Sequence, residues 1–129
     1  MAVEPIPTPS APPVAGPYSA AVRAGAFVVM AGQVGFGADG GLVDGGIEAE
    51  TTQVLANIAA VLGDVGGGWS DVARTTIFLT DLGNFATVNV LYEGAIGANR
   101  PARTTIGVAA LPAGALVEIE CWAYVPEEK

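Results

Sequence analysis

One arginine in a chain nearly without cations, and two glutamates on an aromatic strand, are the side chains best placed to do chemistry. Arg103 lies in Pro101-Ala102-Arg103-Thr104-Thr105-Ile106, a strand-like run, in a chain of 129 residues with five Lys and Arg against thirteen Asp and Glu. The sole lysine is Lys129, and histidine is absent. A guanidinium stays charged at any working pH and presents a planar fork of donors, which suits a two-point grip on a carboxylate. The residue points to a small anionic ligand.

Along residues 117–125, Val117, Ile119, Cys121, Ala123 and Val125 alternate with Glu118, Glu120, Trp122 and Tyr124. One face of that strand is apolar, and the other carries two carboxylates among large aromatics. If the loop around Pro112-Ala113 closes an antiparallel pair symmetrically, Gly107 opposes Glu118 and Thr105 opposes Glu120. Arg103, Thr105, Glu118 and Glu120 then share a face, within the ~5–7 Å that separates cross-strand neighbours. A plain ion pair between Arg103 and one glutamate competes with this reading, since such pairs are common on exposed sheet faces and contribute little. Tyr18 reads by default as a packed aromatic, Asn89 as a satisfied helix residue and Cys121 as a small core residue.

The elements that position these residues follow from periodicity and turn chemistry. Prolines crowd the first sixteen residues, so this leader is extended up to Gly16-Pro17-Tyr18. Residues 19–23 and 27–34 read as a hairpin turning at Ala24-Gly25-Ala26. Residues 35–46, with six glycines, form a loop. Ile47, Val54, Leu55, Ile58, Val61, Leu62 and Val65 mark a helix, with Glu48, Glu50 and Asn57 off its stripe and Gly66-Gly67-Gly68 closing it. Residues 72–80 form a strand, Asn84 caps a second helix carrying Phe85, Val88, Asn89, Tyr92 and Ile96 on one face, and Gly97 ends it. Two strands, 103–108 and 117–125, complete the order ββαβαββ. The expected class is α+β, one mixed sheet backed by two helices.

Composition excludes several classes of function. The length allows one domain, with an extended leader over residues 1–15, a body over 16–126 and a tail over 127–129. Hydrophobic residues make up 51% and charged ones 14%, so a lone monomer has too little polar surface to cover itself and an oligomer is expected. A net charge of −8 repels phosphate backbones and anionic lipid, which argues against nucleic acid and membrane partners. One cysteine and no histidine leave no intrachain disulfide and no Cys/His metal site, in keeping with a reducing cytoplasm. The N-terminus lacks the basic and apolar regions of a signal peptide, and no apolar run approaches the ~18 residues that span a bilayer. Gly35-Phe36-Gly37-Ala38-Asp39-Gly40 matches a dinucleotide fingerprint, yet more turn formers follow and no helix opens to bind pyrophosphate.

Several ordered blocks carry a further signal. Gly16-Pro17-Tyr18-Ser19, Ala31-Gly32-Gln33, Ile47-Glu48-Ala49-Glu50-Thr51, Thr75-Thr76-Ile77-Phe78-Leu79-Thr80-Asp81, Phe85-Ala86-Thr87-Val88-Asn89, Pro101-Ala102-Arg103-Thr104-Thr105, Ala110-Leu111-Pro112 and Val117-Glu118-Ile119-Glu120 resemble the Rid family, also called YjgF, of reactive-intermediate imine and enamine deaminases. The resemblance implies a chorismate-mutase-like fold and a homotrimer whose sheets form a barrel with clefts between subunits. It implies cofactor-independent and metal-free hydrolysis of 2-aminoacrylate, or its 2-iminopropanoate tautomer, to a 2-keto acid and ammonia. Arg103 would clamp the carboxylate and Glu118 would activate water. Tyr18 would close the cleft, Gly32 and the Thr105 backbone would bond the ligand, and Asn89 would contribute from behind. Ala31 stands where the family often has Ser or Thr, and Thr105 where well-known deaminases have Cys; both bear on substrate range. Two other classes remain beside the deaminase: a trimeric protein that senses small 2-keto acids in the same cleft without turnover, and a ribonuclease, against which the acidic charge and missing histidine argue.

Overall fold

The computed structural model describes residues 2–127, so Lys129 and the end of the expected tail lie outside the described residues. A six-stranded sheet runs in the order β1-β2-β3-β6-β4-β5. Its strands are β1 (Glu4–Pro5), β2 (Ala21–Ala24), β3 (Phe27–Gln33), β4 (Val72–Leu79), β5 (Ala102–Gly107) and β6 (Val117–Tyr124). Two helices, α1 (Gly46–Asp64) and α2 (Phe85–Ile96), connect β3 to β4 and β4 to β5. The β2–β3 hairpin turns where expected, with Gly25 at φ 62, a conformation that glycine adopts without strain. Beyond the seven expected elements, Glu4–Pro5 adds an edge strand on β2, where a proline's missing N–H costs no ladder bond.

The expected hairpin between the last two strands does not form. β5 pairs in parallel with β4, while β6 runs antiparallel between β3 and β4. The cause is the β4-α2-β5 crossover, which returns the chain parallel to β4 on one side and leaves β4's other edge to β6. β6 is thereby the central strand, and Val117, Ile119, Cys121 and Ala123 are wholly buried beneath the helices. They pack with Val54, Ile58, Val61 and Leu62 of α1 and Val88, Tyr92 and Ile96 of α2. Cys121 is a core residue whose thiol burial pushes up to about 12.

Two details of the helices differ from the periodic reading. Glu50 and Asn57, expected off the apolar stripe of α1, are buried because each secures a loop: Glu50 Oε1 accepts from Leu116 N at 2.8 Å, and Asn57 Nδ2 donates to Phe36 O at 2.9 Å. Asn84 precedes α2 but makes no side-chain cap. The preceding 3-10 turn at Leu82–Asn84 takes that role, with Asp81 accepting from Gly83 N at 2.8 Å. Among the described residues no helix covers the other face of the sheet, which exposes Phe27, Ile106, Trp122 and Tyr124. There Phe27 stacks edgewise on Trp122 and Tyr124, with ring centroids 6.2 and 5.4 Å away.

Candidate functional site

The register that moves β6 to the centre also separates the expected constellation. Arg103 pairs with Thr75, and Thr75 pairs with Cys121, so Arg103 and Thr105 project toward the helices. Glu120 pairs with Thr76 and Glu118 with Phe78, on the uncovered face. Arg103 and Glu118 thus leave opposite faces of one sheet, and the shared face inferred from a symmetric turn is incorrect. The result is two separate clusters of candidate residues, here termed half-sites.

The first half-site is built on β5 and α2. The Arg103 guanidinium carbon lies 5.1 Å from the Tyr92 ring centroid and 5.4 Å from that of Phe85, a cradle of two aromatic faces that attracts a cation without occupying its donors. Tyr92 is fixed in turn by a 2.7 Å bond between its hydroxyl and Thr75 Oγ1. Burial pushes that phenol up, partly offset by the Thr75 bond and the Arg103 charge. Arg23, Arg74 and Arg100 each bond a carbonyl, hydroxyl or carboxylate; among the described residues Arg103 has neither an acidic partner nor a side-chain hydrogen bond. It lines a cavity of about 370 Å³ with Asn89, Tyr92, Glu93 and Arg100. Asn89 Oδ1 and Thr105 Oγ1 are buried without a partner among the described residues. Such orphaned acceptors are uncommon in a finished interior.

The second half-site surrounds Glu118. Met30 pairs with Cys121 and Gln33 with Ile119, so Ala31 and Gly32 together oppose Glu120 in a β-bulge. The bulge brings the Gly32 backbone against the Glu118 carboxylate, where a Cβ would collide with Oε2 and lie 2.8 Å from Cδ. Any larger residue would force that carboxylate to move from this position. Burial raises the Glu118 carboxyl above the ordinary carboxylate range, and the Glu120 charge adds to the rise. The cavity here, about 400 Å³, is also lined by Tyr18, Ala31 and residues 12–15 of the leader. Tyr18 is half exposed, its hydroxyl accepting from Ala15 N at a long 3.5 Å.

The seven residues singled out in the sequence therefore fall into Arg103, Asn89 and Thr105 on one side and Tyr18, Ala31, Gly32 and Glu118 on the other. Sequence reasoning missed Phe85 and Tyr92 as the bed of Arg103, since aromatics on a helix stripe look like core. It also passed over Arg100, whose place three residues before Arg103 in a cation-poor chain was the available signal. The Gly35–Gly40 segment is a tight loop, with Gly37 N bonded to Gly41 O at 2.9 Å and the next helix opening only at Gly46. Among the described residues no helix is long and apolar enough to cross a membrane.

Comparison with known proteins places this geometry in context. The family model described as Endoribonuclease L-PSP matches residues 8–125. A RutC family protein of Pyrococcus abyssi is 40% identical over 125 residues, covering 96% of this chain and 98% of the relative. The 2-iminobutanoate/2-iminopropanoate deaminase of Mus musculus is 41% identical over 119 residues, covering 92% and 88%. Among solved structures, the Rid-family protein YyfA of Yersinia pestis superposes with a TM-score of 0.91 at 44% identity, covering 96% of this chain and 100% of that one.

Proposed function

Because the chain belongs to the Rid family, known also as YjgF or endoribonuclease L-PSP, we propose that it is a hydrolytic deaminase of reactive 2-imino and 2-enamino acids. The observation that carries the reading is Arg103, a guanidinium cradled by two aromatic rings that has no acidic partner or side-chain hydrogen bond among the described residues. The relatives named as deaminases support it.

The two half-sites meet, on this reading, in a cleft between subunits of a homotrimer whose uncovered sheet faces close into a barrel. The exposed aromatic face supports association, and the opposite projection of Arg103 and Glu118 supports a site that needs two copies. Arg103 of one protomer grips the substrate carboxylate. Glu118 of its neighbour, unprotonated, takes a proton from water as the oxygen attacks C2 of the iminium. The carbinolamine that forms receives that proton on nitrogen, the C–N bond breaks as Glu118 takes the hydroxyl proton, and the released ammonia carries that proton away as ammonium, leaving a 2-keto acid and the carboxylate restored. An iminium carbon is already electrophilic, so orientation and charge placement suffice. A carboxyl that burial raises above its ordinary value is a stronger base than a free one. The Gly32 backbone at the bulge bonds the ligand, Tyr18 covers the cleft, and Asn89 and Thr105 support the carboxylate side.

The test generates 2-aminoacrylate in situ with a serine or cysteine lyase and follows its decay with the protein, with Arg103→Ala and with neither. Accelerated decay that the substitution abolishes is expected; decay equal to the blank removes the assignment. The family's endoribonuclease label suggests RNA as the competing substrate, and a net charge of −8 opposes it. Salt-sensitive binding and cleavage of RNA by the same preparation would overturn that argument.

A further inference from the structure

We propose that the cavity beside Glu118 receives a bulky apolar side chain, branched or aromatic, in preference to the single carbon of 2-aminoacrylate; the proposal rests on the deaminase reading above. The volume is the first argument. About 400 Å³ equals roughly thirteen waters at ~30 Å³ each. The 2-aminoacrylate anion has six non-hydrogen atoms and the imine of phenylalanine twelve. With the carboxylate held at the neighbour's Arg103, only the imine and the side chain need to enter.

The lining is the second argument. Pro12, Pro13, Val14, Val34, Phe36 and the Ala31 methyl present hydrocarbon, and among the lining side chains only Glu118 carries charge at neutral pH. A side chain bearing a second carboxylate is repelled, and a small one leaves apolar wall wet.

The wall is also preformed. Its prolines have fixed φ, and the leader that carries them is fastened at several points. Glu4–Pro5 pairs with β2, and Ile6 N donates to Ala21 O at 3.1 Å. Ser10 N and Oγ both donate to the Asp64 carboxylate, at 2.9 and 2.8 Å. Ile6 and Ala11 pack against the core. A rigid apolar cavity rewards the ligand that fills it, because little ordering is left to do on binding. Each methylene buried is worth about fourfold in affinity.

The experiment uses an amino-acid oxidase to release imines from alanine, leucine, phenylalanine and glutamate, and reads protein-dependent loss of the semicarbazide-trapped imine as kcat/KM. The leucine or phenylalanine imine should exceed the alanine imine by at least about tenfold, as two or more buried carbons require, with the glutamate imine poorest. Val14→Trp, at a position 44% exposed and so tolerant of change, should fill the cavity and collapse that ratio. A smaller advantage for the bulky imines, or a ratio that Val14→Trp leaves intact, overturns the inference while the deaminase stands. Hydrolysis of none of the four overturns the deaminase reading and the inference with it.

Discussion

Two variants that are each inactive should recover activity when mixed, if the cleft draws Arg103 from one protomer and Glu118 from the next. Arg103→Ala removes a two-point grip of charge-assisted bonds worth about 1.5–3 kcal/mol each, which predicts a fall of about 10²- to 10⁴-fold in kcat/KM. Glu118→Ala removes the base, for a loss of similar size, about 10²- to 10⁴-fold. In a closed ring each contact is head-to-tail and has one Arg103 donor and one Glu118 donor. With equal amounts randomly assembled, the first donor is an intact-arginine chain half the time and the second an intact-glutamate chain half the time, so about 25% of clefts are wild type whatever the ring size. The assay co-refolds differently tagged variants, confirms subunit exchange by tandem purification, and measures imine decay beside each parent alone. Activity near one quarter of wild type is expected. A mixture no more active than its parents, with exchange demonstrated, refutes the shared cleft, because a site within one chain cannot be rescued in this way.

Gly32→Ala drives a Cβ into the space of the Glu118 carboxylate, so kcat should fall by about 10²-fold or more, as for loss of a base, with near-native circular dichroism; full activity would show that this contact is dispensable. The acid limb of kcat/KM should lie above the ordinary carboxylate value of about 4.3, and Glu120→Gln, which removes the like charge facing Glu118, should move it to lower pH. A raised carboxyl pKa means that the folded state loses stability as pH rises through it, so Glu118→Gln should melt higher than wild type at neutral pH and forfeit that advantage as the solution is acidified. A melting-point difference that grows on acidification would contradict this sign. Tyr92→Phe strands the buried Thr75 hydroxyl and should cost about 1–3 kcal/mol in urea unfolding, while KM stays near wild type because the ring under Arg103 remains.

Much of the fold was legible because periodicity reports burial directly. The apolar stripe of α1 and the alternation of β6 needed no tertiary knowledge, and glycine at 66 and 97 marked helix ends for a steric reason. Strand neighbours were not legible in the same way. Adjacent strands in sequence often pair, but a βαβ crossover had already claimed the edge of β4 for β5. A register argued from Pro112-Ala113 then put Arg103 and Glu118 on one face, and the true pairing reverses that. The choice of candidate residues did not rest on that register, since Arg103 and Glu118 were singled out for chemistry and scarcity and the others by the family resemblance. The face each occupies did rest on it, since it depends on partners far away in sequence. Glu50 and Asn57 show the same limit: their burial follows from loops they fasten, which no helical period records.

On the proposed reading, the separation of the two clusters makes the chemistry dependent on assembly in a way that local motion cannot relieve. From β6 through β4 to β5 are two strand spacings of about 4.8 Å each, and Arg103 and Glu118 point away from each other across the sheet besides. Bringing them together within one chain would mean breaking the pairing that buries Ile77, Leu79, Val117 and Ile119. Contact between two copies needs no such rupture. The face of Phe27, Ile106, Trp122 and Tyr124 gives those copies a reason to associate, since apolar area leaves water at about 25 cal/mol per Å². On the proposed reading the same low charge content that drives association also leaves the guanidinium unpaired among the described residues, since the nearby Glu93 is bound to Arg100. Its donors are then first satisfied by the substrate, and a surface ion pair at Arg103 would have cost the protein that affinity.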